Sequence, residues 1–169
     1  GGGTVCIVEG TYPDAVSIVG ADKLCQFIGY DATIQVLGAF TTAQTVYLEQ
    51  CLATSIDSGD AIELRNSSVS GACTAVGDIV CQGDYALGGN VVGGALQTGA
   101  AGQLFATGYQ FGSTIEAGSL DLTRCTLQGN VTLHGSLSHL KLCNIDAITI
   151  TFDPDPGILE LDAYTYQQF

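Results

Sequence analysis

The chain has 169 residues, of which 46% are hydrophobic and only 12% charged, so one domain with a sizeable core is expected and disorder is excluded. Seventeen acidic residues against four basic ones give a formal net charge of −13. Lys23, Arg65, Arg124 and Lys141 are too few and too scattered to neutralise phosphates, which excludes a nucleic-acid partner and disfavours an anionic membrane surface.

Taken in chain order, the apolar residues recur in short aligned groups. Val16, Ile18, Val19 and Gly20 are matched eighteen positions later by Ile34, Val36, Leu37 and Gly38. The stretch from Thr41 to Leu52 is the best helical candidate, but its β-branched Val46 beside Tyr47 reads equally well as strand. Val46 and Leu48 are echoed by Ile62 and Leu64, one shorter turn later. From 71 to 103 the pattern loosens into Gly-rich sequence. It then tightens into three series with a spacing of eighteen: Leu104, Leu122 and Leu140; Tyr109, Leu127 and Ile145; and Thr107, Cys125 and Cys143. A fourth series, Ile115, Leu133 and Ile150, has spacings of eighteen and seventeen.

Three apolar anchors per repeat suit a coil with three short strands per turn. Inward and outward residues alternate along each strand, and Gly, Asn, Asp and Ser occupy the turns between. One rung cannot bury its own apolar face, but stacked rungs share a core. The predicted fold is therefore all-β, a parallel β-helix or β-solenoid with rungs of about 18 residues. A β-sandwich with irregular loops is the alternative. No run of eighteen apolar residues is present to form a transmembrane helix.

The solenoid is expected over 1–152. Asp153, Pro154, Asp155, Pro156 and Gly157 form a Pro/Gly turn, because proline cannot donate to a ladder. Residues 158–169 alternate again, as a capping strand, a subunit-contact segment or the start of a further module. The chain opens at Gly1 and contains no Met, so a processed product or a fragment of a longer protein is expected.

The seven cysteines include no pair at zinc-site spacing, and buried free thiols are the favoured reading. Asn66 and Asn130 begin glycosylation sequons, which arise easily by chance in a Ser/Thr-rich chain. Paired acids are what glycoside hydrolysis needs. The candidates are Asp57 with Asp60, Asp78 with Asp84, and Asp153 with Asp155. Turn acids that accept backbone hydrogen bonds are the simpler reading of each. Asp153 and Asp155 are also the candidate ligands for a Ca²⁺ ion. His134 and His139 are the only histidines, with no obvious third metal ligand, and a solvent-facing or turn role is expected. Tyr164 and Tyr166 are the closest tyrosine pair and the candidates for stacking on sugar rings. No catalytic residue is assigned.

Gly2, Gly3, Val5, Gly10, Thr11 and Tyr12, followed by Ile34 to Gly38, resemble the first turns of pectate-lyase-like β-helices. The resemblance covers the chain from Gly1 to about Phe40. It implies a right-handed coil of the kind found in polysaccharide lyases and hydrolases and in viral tailspikes, fibres and surface appendages, which are commonly homotrimers. The chain is shorter than the enzymes and shows no clear catalytic cluster. The expectation is therefore a structural or attachment protein: a β-helical segment of a viral fibre or spike, homotrimeric, on the virion surface or extracellular, and able to engage surface glycans. A carbohydrate-active enzyme on the same fold is the alternative. A left-handed β-helix acyltransferase is a weaker one, because the hexapeptide pattern met at Ile28 and Gly29 fails at Ile115, Leu127 and Leu133.

Overall fold

The computed structural model describes residues 3–7, 11–12, 16–18, 25–29, 35–83, 90–135, 137–146, 149–153, 157–162 and 166–168. These residues form a parallel β-solenoid of about seven turns, with turns of about 17 residues and no helix among the described residues. Each turn runs through three faces.

Face I is a nine-stranded sheet: β1 (Gly3–Ile7), β4 (Cys25–Gly29), β6 (Val46–Glu49), β8 (Ile62–Arg65), β11 (Ile79–Gln82), β14 (Gln103–Thr107), β17 (Ser119–Thr123), β20 (Leu137–Lys141) and β23 (Ile158–Leu161). The other two faces are joined by long strands. β7 (Cys51–Ser58) pairs along its first half with β9 (Ser68–Val69) and along its second half with β10 (Cys73–Ala75). β5 (Gln35–Thr42) lies under the whole of β7, and pairs on its other side with β2 (Thr11–Tyr12) and β3 (Val16–Ile18). Face II continues through β12 (Asn90–Val92), β15 (Tyr109–Phe111), β18 (Thr126–Leu127), β21 (Asn144–Asp146) and β24 (Tyr166–Gln168). Face III continues through β13 (Leu96–Gln97), β16 (Ile115–Ala117), β19 (Val131–Leu133) and β22 (Ile150–Phe152).

Alternation builds the core. Val46, Leu48, Ile62, Leu64, Ile79 and Cys81 point inward on face I and are fully buried, while Glu63 and Arg65 between and after them face outward. Val69, Val92 and Leu127 do the same on face II, and Ile56, Ile115 and Val131 on face III. The stretch Thr41–Leu52 is strand and turn rather than helix.

Several stacking partners differ from those an eighteen-residue spacing suggests. Val46 opposes Ile62 and Leu48 opposes Leu64, as the sequence indicates. Leu122 opposes Leu140, but Leu104 opposes Leu120 rather than Leu122. Leu127 opposes Ile145, but its neighbour on the other side is Phe111, not Tyr109. Ile115 stacks on Val131, and Val131 on Ile150, with Leu133 shifted to the next inward position. Val16 pairs with Phe40 instead of Ile34. Turn length is not constant, and a slip of two positions keeps a residue on the same side of its strand. An apolar pattern therefore survives a wrong register.

One corner repeats. Between face I and face II the chain turns through a single left-handed residue: Gln50 (φ 54°), Asn66 (45°), Gly108 (70°), Arg124 (54°) and Leu142 (55°). The next residue is buried each time: Cys51, Ser67, Tyr109, Cys125 and Cys143. Four of them return a side-chain hydrogen bond to the carbonyl two residues back. Cys51 donates to Glu49 (3.1 Å), Ser67 to Arg65 (2.9 Å), Cys125 to Thr123 (3.4 Å) and Cys143 to Lys141 (3.4 Å). The Arg65, Thr123 and Lys141 carbonyls also accept a backbone N–H from the neighbouring rung, so the side chain adds a second bond from inside the core. Between face II and face III the rungs approach so closely that a Cβ on Gly94 would collide with the Gly71 backbone.

The loose region from 71 to 103 contains one enlarged turn, between Ile79 and Leu104. Ile79 opposes Leu104 across it, a longer step than the ones before and after, from Ile62 to Ile79 and from Leu104 to Leu120. Tyr109 spans this turn. Its buried hydroxyl donates to the Ser67 carbonyl (2.6 Å) and accepts from the Ser67 N–H (3.4 Å), 42 residues away in sequence.

Candidate functional site

The two histidines lie on one turn, His134 at the end of face III and His139 on face I, and each gathers polar partners. His134 follows β19, and Glu116 lies outward on β16. His134 Nε2 lies 3.0 Å from Glu116 Oε1 and Nδ1 lies 3.0 Å from the Asp153 carbonyl oxygen. Both partners are acceptors, so the doubly protonated imidazolium fits this arrangement best. The hydrogen bond to Glu116, followed by that to Asp153, raises the His134 pKa above its ordinary value of 6.5. Glu116 also accepts from Gln97 Nε2 (3.4 Å), so the cluster ties four successive turns along face III.

The second cluster is on the outer surface of face I. Asp121, His139 and Glu160 oppose one another in register on β17, β20 and β23. His139 Nδ1 lies 3.0 Å from Glu160 Oε2, and both side chains are about half exposed (46% and 60%). Thr123 and Lys141 form a second register pair two residues along the same strands. Leu137 and Ile158, also paired, expose 42% and 60% of their surface two residues the other way. This is an open surface carrying a base, two carboxylates and aliphatic neighbours. Among the described residues no group of three or more His, Cys, Asp or Glu side chains is arranged to hold a metal ion.

The acid pairs named from the sequence are spread over turns and strands. Asp60 Oδ2 accepts from the Thr45 hydroxyl (2.7 Å), and Asp78 Oδ1 accepts from the Gln103 N–H (2.8 Å). Asp57 lies outward on face III between Thr41 and Thr74. Asp84 and Asp155 lie outside the described residues. Asp153 is exposed; its N–H donates to the Leu133 carbonyl (2.8 Å) while its own carbonyl serves His134. Tyr164 also lies outside the described residues, and Tyr166 is placed as the first residue of β24, opposite Asn144.

Sequence reasoning missed the partners of both histidines. Glu116 and Asp121 each precede a histidine by one repeat of eighteen, so the period itself held the signal. Glu160 and the Asp153 carbonyl belong to longer turns that no fixed period reaches. The five cysteines with described side chains are buried and unbridged. Burial alone pushes the Cys73 thiol up to about 12, so it packs as an inert apolar group.

Comparison of the chain with protein-family models, with curated proteins and with solved structures finds no match in any of the three.

Proposed function

We propose that this chain is a structural and attachment element: a right-handed β-helical segment of a fibre or spike of the viral type, homotrimeric and exposed on a virion or cell surface. The observation that carries this reading is the repeated corner, in which a left-handed residue is followed by a buried residue, in four of the five cases one whose side chain hydrogen-bonds the turn carbonyl. Each corner fixes the path of the next rung, and backbone ladders bind every turn to its neighbours, which suits a stiff rod. Exposed Leu137, Ile158 and Leu161 supply aliphatic surface for contact between chains. The polar surface of face I around His139, together with Tyr164 and Tyr166, is the proposed contact for a surface glycan, with Asp153 and Asp155 the proposed ligands for a Ca²⁺ ion.

Light scattering of the purified protein tests the assembly. A mass three times 17.4 kDa supports the fibre reading, and a monomer at working concentration overturns it. A second reading, a carbohydrate-active enzyme, is favoured by Asp121 and Glu160. These lie two strands apart on one face with His139 between them. Two strand spacings of ~4.8 Å place their backbones ~9.6 Å apart, near the ~6.5–9.5 Å that separates the carboxyls of inverting glycosidases. Incubation with acidic and neutral polysaccharides, read as new reducing or unsaturated ends, separates the two readings. Turnover abolished by Glu160→Gln would establish the enzyme.

A further inference from the structure

Cys125 and Cys143 occupy the same position on consecutive turns. Each follows a left-handed residue of nearly identical φ, Arg124 and Leu142. The residues after them, Thr126 and Asn144, are register partners, and the Asn144 N–H donates to the Cys125 carbonyl (2.8 Å). Both cysteines are 1% exposed and both hang inward from the same corner, each donating to the carbonyl two residues back. Two equivalent side chains on neighbouring parallel strands are offset by the strand spacing of ~4.8 Å.

The two thiols are unbridged and each donates to a backbone carbonyl. A metal–thiolate bond is ~2.3 Å long, so an ion held linearly between two sulfurs spans ~4.6 Å, which matches the rung. Tetrahedral zinc needs four donors. Around this pair no third His, Cys, Asp or Glu side chain completes such a set among the described residues. An ion satisfied by two collinear soft ligands is the one that fits, and thiolates select Cu(I) among the biological metals.

We propose that Cys125 and Cys143 form an inter-rung site for a monovalent, thiophilic d¹⁰ cation of the Cu(I) class, bound linearly between the two sulfurs. Binding forms two metal–sulfur bonds and releases both thiol protons to solvent, with no change of oxidation state. The bis-thiolate complex carries one negative charge. Arg124 and Lys141, two of the chain's four basic residues, lie within two positions of these cysteines in sequence, on the exposed side of the corner. Cys51 occupies the equivalent corner farther along, but Ser67 and Tyr109 fill the corners between it and Cys125 and separate it from this pair. This site is independent of the fibre reading.

The test is anaerobic titration of the folded, reduced protein with Cu(I) held by bicinchoninate, reading metal retained per chain and intact mass. Wild type should retain one more Cu(I) than Cys125→Ser or Cys143→Ser, while Cys73→Ser should match wild type. Retention unchanged in both serine variants overturns the proposal. X-ray absorption of loaded wild type needs no variant. Two sulfur neighbours support the site, and a shell of three or more ligands, or one dominated by nitrogen or oxygen, rules it out.

Discussion

Leu142 is held at φ 55°, where a Cβ meets the following carbonyl, and its side chain is 36% exposed. A left-handed conformation costs an ordinary residue ~1–2 kcal/mol, and Asn tolerates it better. Leu142→Asn should therefore stabilise the protein by ~0.5–1 kcal/mol, read as a higher midpoint in thermal or urea unfolding. Gly108→Ala, at φ 70° in the equivalent corner, should lower the midpoint by a comparable amount. If both changes leave the midpoint where it is, the corner is not strained. His134 carries the pH dependence. Its pKa is raised in the folded state by Glu116 and the Asp153 carbonyl. Its stabilisation is therefore fully present below 6.5, its ordinary value, and is lost as pH rises through the higher folded value. The groups facing the imidazole are Glu116, with Gln97 behind it, and Asp153. The gap in melting temperature between wild type and His134→Gln should be wide near pH 5.5 and narrow near pH 9. A gap that widens with pH would reverse the assignment.

At the scale of the strand and its corner, Tyr109 ties two turns that are not adjacent. Its hydroxyl reaches across the enlarged turn to both backbone groups of Ser67, and burial, followed by the neighbouring Cys81, pushes its pKa up, so it stays a neutral donor. Tyr109→Phe keeps the ring packing but strips Ser67 of this partner. A buried group left without its hydrogen bond costs ~1–3 kcal/mol, a loss that chemical denaturation should resolve. An unchanged midpoint would mean that water replaces the hydroxyl. Tyr109 also shows where the sequence stops being readable. The alternation of Val46, Leu48, Ile62 and Leu64 announces strands and their inward faces without ambiguity, because burial demands period two. The register is less legible. Leu104 can be set against Leu120 or Leu122, and Tyr109 against Cys125 or Leu127, with equal apolar fit. Only the turn geometry decides, through left-handed residues such as Gln50, Arg124 and Leu142 that no composition rule marks as turn formers. Because clusters across rungs depend on register, the period of eighteen points from the histidines to Glu116 and Asp121 but hides Glu160 and the Asp153 carbonyl, which belong to longer turns.

Across the whole molecule, a solenoid is a one-dimensional stack in which each turn is stabilised by its two neighbours. The enlarged turn is its weakest seam. There β9 and β12 are joined through the single described pair Val69 and Val92, against two or more at every other described ladder step. On face I the ladder continues unbroken, with four pairs between β11 and β14. Two regular blocks thus meet at a junction held by face I, by Leu96 in the core and by Tyr109. Leu96 and Leu64 are both at most 1% exposed, and Leu→Ala at either site should cost ~2–5 kcal/mol. The two losses should differ in form. Leu64 lies inside a block, between Leu48 and Cys81, so Leu64→Ala should lower a single cooperative transition. Leu96 lies at the seam, between Cys73 and Ile115. Leu96→Ala removes coupling between blocks, so calorimetry should resolve two transitions where wild type shows one. If both variants melt in one step with calorimetric and van't Hoff enthalpies equal, coupling through face I alone is strong enough to make the whole stack a single cooperative unit.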